Sequence, residues 1–196
     1  MIASTARLEA ALASNGVLSE LLASFDEIAL PDGWIVAGAI AQTVWNAAMG
    51  RPGGDGIKDV DIVYFDRDDL SAETEAVHER RLRDRFRHLP VTLDVKNEAR
   101  VHLWYERRFG YPIAPYRSVA DAIATFPTIA TSIGVRRNGV VLEICAPFGT
   151  DDLFGLVVRP NRAQITRAIY EMKLERWRPI WPGLTFMPWD DPVPTP

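Results

Sequence analysis

The chain has 196 residues, with Lys and Arg totalling 22 against 26 for Asp and Glu, a net charge of −4. That length fits one domain and is enough to bury a substantial core, while the acidic balance argues against a broad nucleic-acid surface, which needs clustered excess base. The single cysteine, Cys145, lies in an apolar run and excludes an intrachain disulfide framework.

No stretch is apolar for long enough to span a bilayer. The N-terminus, with Arg7, Glu9 and Glu20, lacks the apolar core of a signal peptide. A soluble cytoplasmic protein is therefore expected. Ser4 to Ser14 reads as a helix, with Leu8, Ala11 and Leu12 on one stripe. Val17 to Ile28 reads as a second, closed by Pro31, Asp32 and Gly33. A short apolar strand follows at Trp34 to Ala37. Gly38 turns the chain into a small-residue helix that ends among Gly50, Pro52, Gly53 and Gly54. Asp59 to Phe65 is a strand by composition, rich in β-branched and aromatic residues.

That strand carries Asp59 and Asp61 on one face, ~6–7 Å apart, because residues two apart point the same way. Two like charges so placed need solvent or a cation, and hard oxygen donors suit Mg²⁺. Ser71 fits the N-cap of a helix to about Arg87. Its Arg80, Arg81, Arg83, Arg85 and Arg87 read as a solvated basic face or as a guide for an anionic substrate. Val91 to Val95 reads as a strand on which Asp94 shares a face with Thr92. Asn97 fits the cap of a helix to Arg108, stopped by Gly110. Ser118 caps a short helix to Phe126. Thr128 to Arg136 and Val140 to Cys145 are β-like runs around Asn138-Gly139, a hairpin signal whose register is open. Pro147 to Leu156 reads as a turn, Asn161 to Trp177 as a last helix, and 192–196 as a frayed end. The expected layout is N-terminal helices at 1–30, a core at about 34–160, and a C-terminal helix with a Pro- and Trp-rich tail at 161–196.

Strand, glycine turn, helix, loop, then a strand bearing Asp59 and Asp61 resembles the nucleotidyltransferase superfamily typified by DNA polymerase beta. Two further strings, Leu93 to Trp104 and Ala146 to Pro160, bring it close to a bacterial nucleotidyltransferase-like family of unassigned role. The resemblance runs from about Gly38 to Trp181. It implies an α/β fold with a mixed sheet, a polymerase-beta-like core and flanking helices. It also implies Mg²⁺, as one or two ions, on Asp59, Asp61 and Asp94, with an NTP as substrate.

The implied reaction is transfer of a nucleotide to a small-molecule or protein hydroxyl, Asp94 helping to activate the acceptor. Gly38 and Ala39, at a helix N-terminus, would receive phosphate. Lys58, Lys96 and Arg100 are further phosphate candidates. Arg100 fits equally a pair with Asp94 or Glu98, Lys58 could neutralise Asp59, and Glu143 is a weaker third carboxylate. Trp104, Tyr105 and the C-terminal tryptophans suit either base stacking or the core. Ala39, where the family carries Ser or Gly, and the long Gly38–Asp59 gap favour an alternative, a non-catalytic nucleotide-binding or protein-interaction module on the same fold.

Overall fold

The computed structural model describes residues 2–192, with side chains from residue 4 onward. The expected fraying at 192–196 lies, but for Pro192, outside the described residues. The N-terminal helices are α1 (Ile2–Ala13), α2 (Gly16–Ala23) and α3 (Phe25–Ile28). The single helix expected at Val17–Ile28 is thus broken at Ser24. Leu18, Leu21, Leu22 and Ile28 are buried on both sides of the break, so the apolar stripe runs through it unchanged. Periodicity does not register such a break.

The sheet contains β1 (Trp34–Val36), β2 (Asp59–Tyr64), β3 (Thr92–Asn97), β4 (Gly134–Asn138) and β5 (Val141–Cys145), in the order β3-β2-β1-β4-β5. Only β2 and β3 are parallel; the other pairs are antiparallel. Helix α4 (Gly38–Ala48) joins β1 to the loop before β2. Helix α5 (Ala72–Arg85) makes the crossover from β2 to β3, since parallel strands cannot be joined by a tight turn.

One sheet face presents Ile35, Val60, Ile62, Leu93, Val95 and Val135. All are buried in one cluster that also holds Leu8, Leu21, Trp45, Leu82 and Trp181. The other face carries a smaller cluster of Val36, Val63, Val119 and Ile123. Its helical part is α7 (Val119–Ile123), which follows α6 (His102–Phe109).

Three expectations need correction. Thr128 to Arg136 is not one strand: Ile129–Thr131 forms a 3-10 turn before β4 begins at Gly134. Ser132 Oγ donates to the Thr128 carbonyl at 3.0 Å, and Thr128 Oγ1 accepts from Thr131 N at 3.3 Å. Such local bonds compete with a strand ladder. Pro147 to Leu156 contains a helical turn, α8 (Asp151–Phe154), with Asp152 paired to Arg159 at 3.0 Å. The last helix, α9 (Arg167–Trp177), starts six residues beyond Asn161, capped by Thr166. Asn161 is instead buried in a turn, donating to Ala124 O at 2.7 Å and accepting from Ala163 N at 3.2 Å. The hairpin register that the sequence left open pairs Asn138 with Val141.

The C-terminal segment closes the core. A two-stranded parallel sheet joins β6 (Val157–Val158) to β7 (Thr185–Phe186). Trp177 and Trp181 stack edge-on against Trp45, centroids 5.4 and 5.6 Å away. Trp181 Nε1 donates to Asn46 Oδ1 at 2.7 Å, and Asn46 Nδ2 donates to the carbonyls of Gly53 and Asp55. The glycine-rich loop is thereby tied to the core. A side chain at Gly53 would strike the Ser14 carbonyl, 2.5 Å from its Cβ position.

The arginines of α5 are largely fasteners. Arg81 donates to the carbonyls of Glu27 and Ile28, Arg83 to that of Leu93, and Arg85 to the Glu27 carboxylate. No helix among the described residues is long and apolar enough to cross a membrane. Trp181→Ala removes a side chain that is 1% exposed together with its bond to Asn46. The expected cost is about 3–5 kcal/mol in urea unfolding. A loss below about 1 kcal/mol would contradict this account of the core.

Candidate active site

Parallel pairing of β2 with β3 sets Asp61 opposite Asp94 and Asp59 opposite Thr92. Paired residues in neighbouring strands share a face at a spacing of ~4.8 Å, so Asp59, Asp61 and Asp94 stand on one side of the sheet. Their neighbour on β1 is Val36, paired with Asp61, and the chain enters the α4 turn immediately after it. The residue at positive φ in that turn is Ala37 (φ 60°, ψ −126°), one place before Gly38, which already opens the helix. A non-glycine residue in this region is strained, and such strain collects at functional turns. No side chain caps α4, so its first N–H groups lack a side-chain acceptor, although Ala39 and Ile40 are themselves buried.

Neither Asp59 nor Asp61 makes a hydrogen bond or ion pair among the described residues. Asp59 is exposed and Asp61 half-buried. Burial, reinforced by the charges of Asp59 and Asp94, pushes the Asp61 carboxyl up to about 7. The charges of Lys173 and Lys96 oppose this rise only in part. Asp94 is bound by Lys96 Nζ at 2.5 Å. Among the described residues, no group of three or more His, Cys, Asp or Glu is placed to hold a metal by itself. The donor set nonetheless suits Mg²⁺, which takes one or two carboxylates and completes its shell with water and substrate phosphate.

Two residues that the sequence reading passed over belong here. Lys173 comes in from α9: burial first, then the charge of Arg176, hold its ammonium below the usual lysine range, opposed by Asp61 and Asp59, and its charge acts in turn on Asp61. Glu98 is 6% exposed and makes no hydrogen bond among the described residues. Burial first, then the nearby charges of Asp61 and Glu75, push its carboxyl up to about 8. Glu98 opens the 3-10 turn directly after β3, where strand alternation gives no signal. The expected strand ended earlier still, at Val95.

Other candidates are held elsewhere. Arg100 pairs with Glu75 at 2.7 Å and donates to the Leu70 carbonyl at 3.1 Å, so its guanidinium is committed to α5. Asn97 caps the 3-10 turn Glu98–Arg100 and fastens the loop after β2 through the Asp66 and Asp69 carbonyls. Lys58 is exposed and makes no ion pair among the described residues, so it does not neutralise Asp59. Glu143 is tied to Arg136 and Asn138 on β4, two strands beyond β2. Trp177 and Trp181 are buried in the core, whereas Trp104 and Tyr105 line a cavity beside Lys96 and Lys173. His102 buries Nδ1 without a partner.

A raised carboxyl means that the folded state holds a proton the unfolded chain has released, so stability falls as pH rises through that window. For Glu98 the window runs from the ordinary carboxylate range to about 8. In Mg²⁺-free buffer, Glu98→Gln is therefore expected to gain on the parent protein by on the order of 3 kcal/mol between pH 5 and pH 8. Urea midpoints at the two pH values measure this. A gain independent of pH would contradict the assignment.

A nucleotidyltransferase family model matches residues 23–186. A solved structure, titled as revealing a CCA-adding enzyme head domain, aligns with a TM-score of 0.75 and 26% identity. The alignment covers 92% of this chain and 94% of that one. No curated protein matches. With the family match spanning most of the sequence and the fold shared over 92% of the chain, the chain belongs to this nucleotidyltransferase family.

Proposed function

We propose that the protein transfers a nucleotide from an NTP to a hydroxyl of a small molecule or protein, with Mg²⁺ as cofactor. The observation that carries this reading is the in-register Asp61–Asp94 pair next to the uncapped turn at Ala37–Gly38. Asp59 and Asp61 would hold the metal. When bound, Mg²⁺ supplies charge neutralisation at the phosphates and acidifies a bound hydroxyl. The free N–H groups at Gly38 and Ala39 would receive the terminal phosphates, aided by the helix dipole. Ala39 contributes only its backbone, so the hydroxyl usual in the superfamily is not required for this contact.

Lys96 and Lys173 flank the carboxylates and would meet the remaining phosphate charge. Asp94 would accept the proton of the acceptor hydroxyl. That oxygen then bonds to the α-phosphorus, the bond from α-phosphorus to the bridging oxygen breaks, and pyrophosphate leaves with the electron pair. The Lys96 ammonium, 2.5 Å from Asp94 Oδ1, holds that carboxylate in place beside Asp61. A formal charge of −4 supports small or protein acceptors over nucleic acid. The compartment that fits this chemistry is the cytoplasm, where NTPs are abundant.

The rival reading is a non-catalytic nucleotide-binding module. It draws support from the Lys96–Asp94 pair, which would occupy the group meant to activate the acceptor. Pyrophosphate release separates the two. With Mg²⁺, labelled NTPs and a panel of hydroxyl acceptors that includes an RNA, the parent protein is expected to release pyrophosphate. Saturable NTP binding without release across the panel would favour the rival.

Replacing both Asp59 and Asp61 by Asn is expected to abolish release and the rise in melting temperature given by Mg²⁺ with NTP. Ligand-free stability should stay within about 1 kcal/mol of the parent, because relief of the carboxylate repulsion is set against the loss of the two charges that oppose the desolvation of Lys173. A double variant that melts far below the parent would contradict the metal-holding role.

A further inference from the structure

Beside the carboxylates lies a cavity of about 350 Å³ between β3, α6 and α9. Its walls include Val101, Trp104, Tyr105, Tyr116, Phe126 and Ile169. Phe109 and Met172 stand at its rim, 40% and 62% exposed, unusual for side chains of this size. Lys96 and Lys173, the two cations that act on Asp61, also line it. Glu98 is the acidic group in the lining. It is buried, with no hydrogen-bond partner among the described residues. Its carboxyl stands in the wall of an aromatic cavity and is open to a ligand there.

The cavity is therefore two-ended. Its lysine end faces the aspartates and suits phosphate. Its interior offers flat apolar rings and one carboxyl that accepts a hydrogen bond whether or not it is ionised. β3 carries Asp94 and then Lys96 away from the reacting centre, ~6–7 Å per pair of residues, and Glu98 opens the 3-10 turn just beyond the strand's end. The Tyr116 hydroxyl is not free to compete, since it bonds Gln164 Oε1 at 2.7 Å and Thr125 Oγ1 at 2.9 Å.

We propose that this cavity binds a nucleobase bearing an exocyclic amine, stacked among the aromatic side chains with its amine donating to Glu98. Adenine, cytosine and guanine carry such an amine; uracil offers only its ring N3–H, flanked by two carbonyl oxygens that an ionised carboxylate repels, so the bases are compared at pH 8.5, where most of the Glu98 carboxyl is ionised and has no O–H to donate. Stacking on aromatic rings holds any base, so Glu98 supplies the discrimination. The inference rests on the nucleotidyl-transfer reading for the origin of the base, which belongs either to the NTP or to the acceptor.

Calorimetric titration of the full chain tests it, first with adenosine, cytidine, guanosine and uridine, then with the four NTPs and Mg²⁺. At least one amine-bearing ligand is expected to bind tenfold or more tightly than its uracil counterpart. Glu98→Gln, which keeps an acceptor oxygen, should stay within about threefold of the parent. Glu98→Leu should fall to the uracil level, while a melt confirms that it is folded. Discrimination among NTPs that nucleosides displace assigns the base to the NTP. Nucleoside discrimination that persists under saturating UTP assigns it to the acceptor.

Equal binding of all four bases, binding of none, or discrimination that survives in Glu98→Leu would overturn the proposal. Base discrimination without pyrophosphate release would leave the cavity's role standing and remove the transfer reading. Pyrophosphate release with no discrimination would do the reverse.

Discussion

The parallel pairing of β2 and β3 is the constraint on which the rest depends. Its register brings Asp61 beside Asp94, from segments more than thirty residues apart in the chain. That pairing needs the α5 crossover, and α5 is held by its arginines on α3 and β3. It is further fixed by the Glu75–Arg100 pair, each side chain 11% exposed, with Glu75 also accepting the Asn97 N–H at 2.8 Å. Arg100 and Asn97 therefore serve the site by fixing β3. A slip of one residue would turn Asp94 to the apolar face and Leu93 or Val95 to the site.

The two sheet faces divide the work. One is covered by apolar helices and a tryptophan cluster and supplies stability. The other leaves carboxylates, lysines and an uncapped helix N-terminus together near solvent. Carboxyls are buried and crowded there at the expense of folding: burial first, and then neighbouring like charge, raises Asp61 and Glu98. Electrostatic strain of this kind is characteristic of groups arranged for a ligand, because a cation or phosphate-bound metal relieves it.

Much of this was legible in the sequence, and what was missed follows a pattern. Asp59 and Asp61 announce themselves through a strand-forming run with carboxylates at every second position. The mixed sheet and the family followed from the order of strand, turn and helix. Gly38 was the visible signal for the turn, although the unusual backbone falls on Ala37, whose side chain gives no hint of it. Glu98 was missed because β3 runs to Asn97, two residues further than its apolar alternation suggests, and a 3-10 turn then replaces the start of the expected helix. Lys173 could not have been found locally. It lies on an exposed-looking helix, and only the packing of α9 brings it to the aspartates. Arg100 was legible as a cation but not as Glu75's partner, since that contact joins residues twenty-five positions apart.

The central claim is that the aspartate face and the Ala37–Gly38 turn form one site for a metal-bound NTP. Its most direct measurement is anomalous diffraction from crystals grown with Mn²⁺ and a non-hydrolysable NTP analogue. The account predicts a Mn²⁺ peak on Asp59 and Asp61, with phosphate oxygens against the first N–H groups of α4. A nucleotide bound elsewhere, or Mn²⁺ absent from these carboxylates while the nucleotide is present, would contradict it.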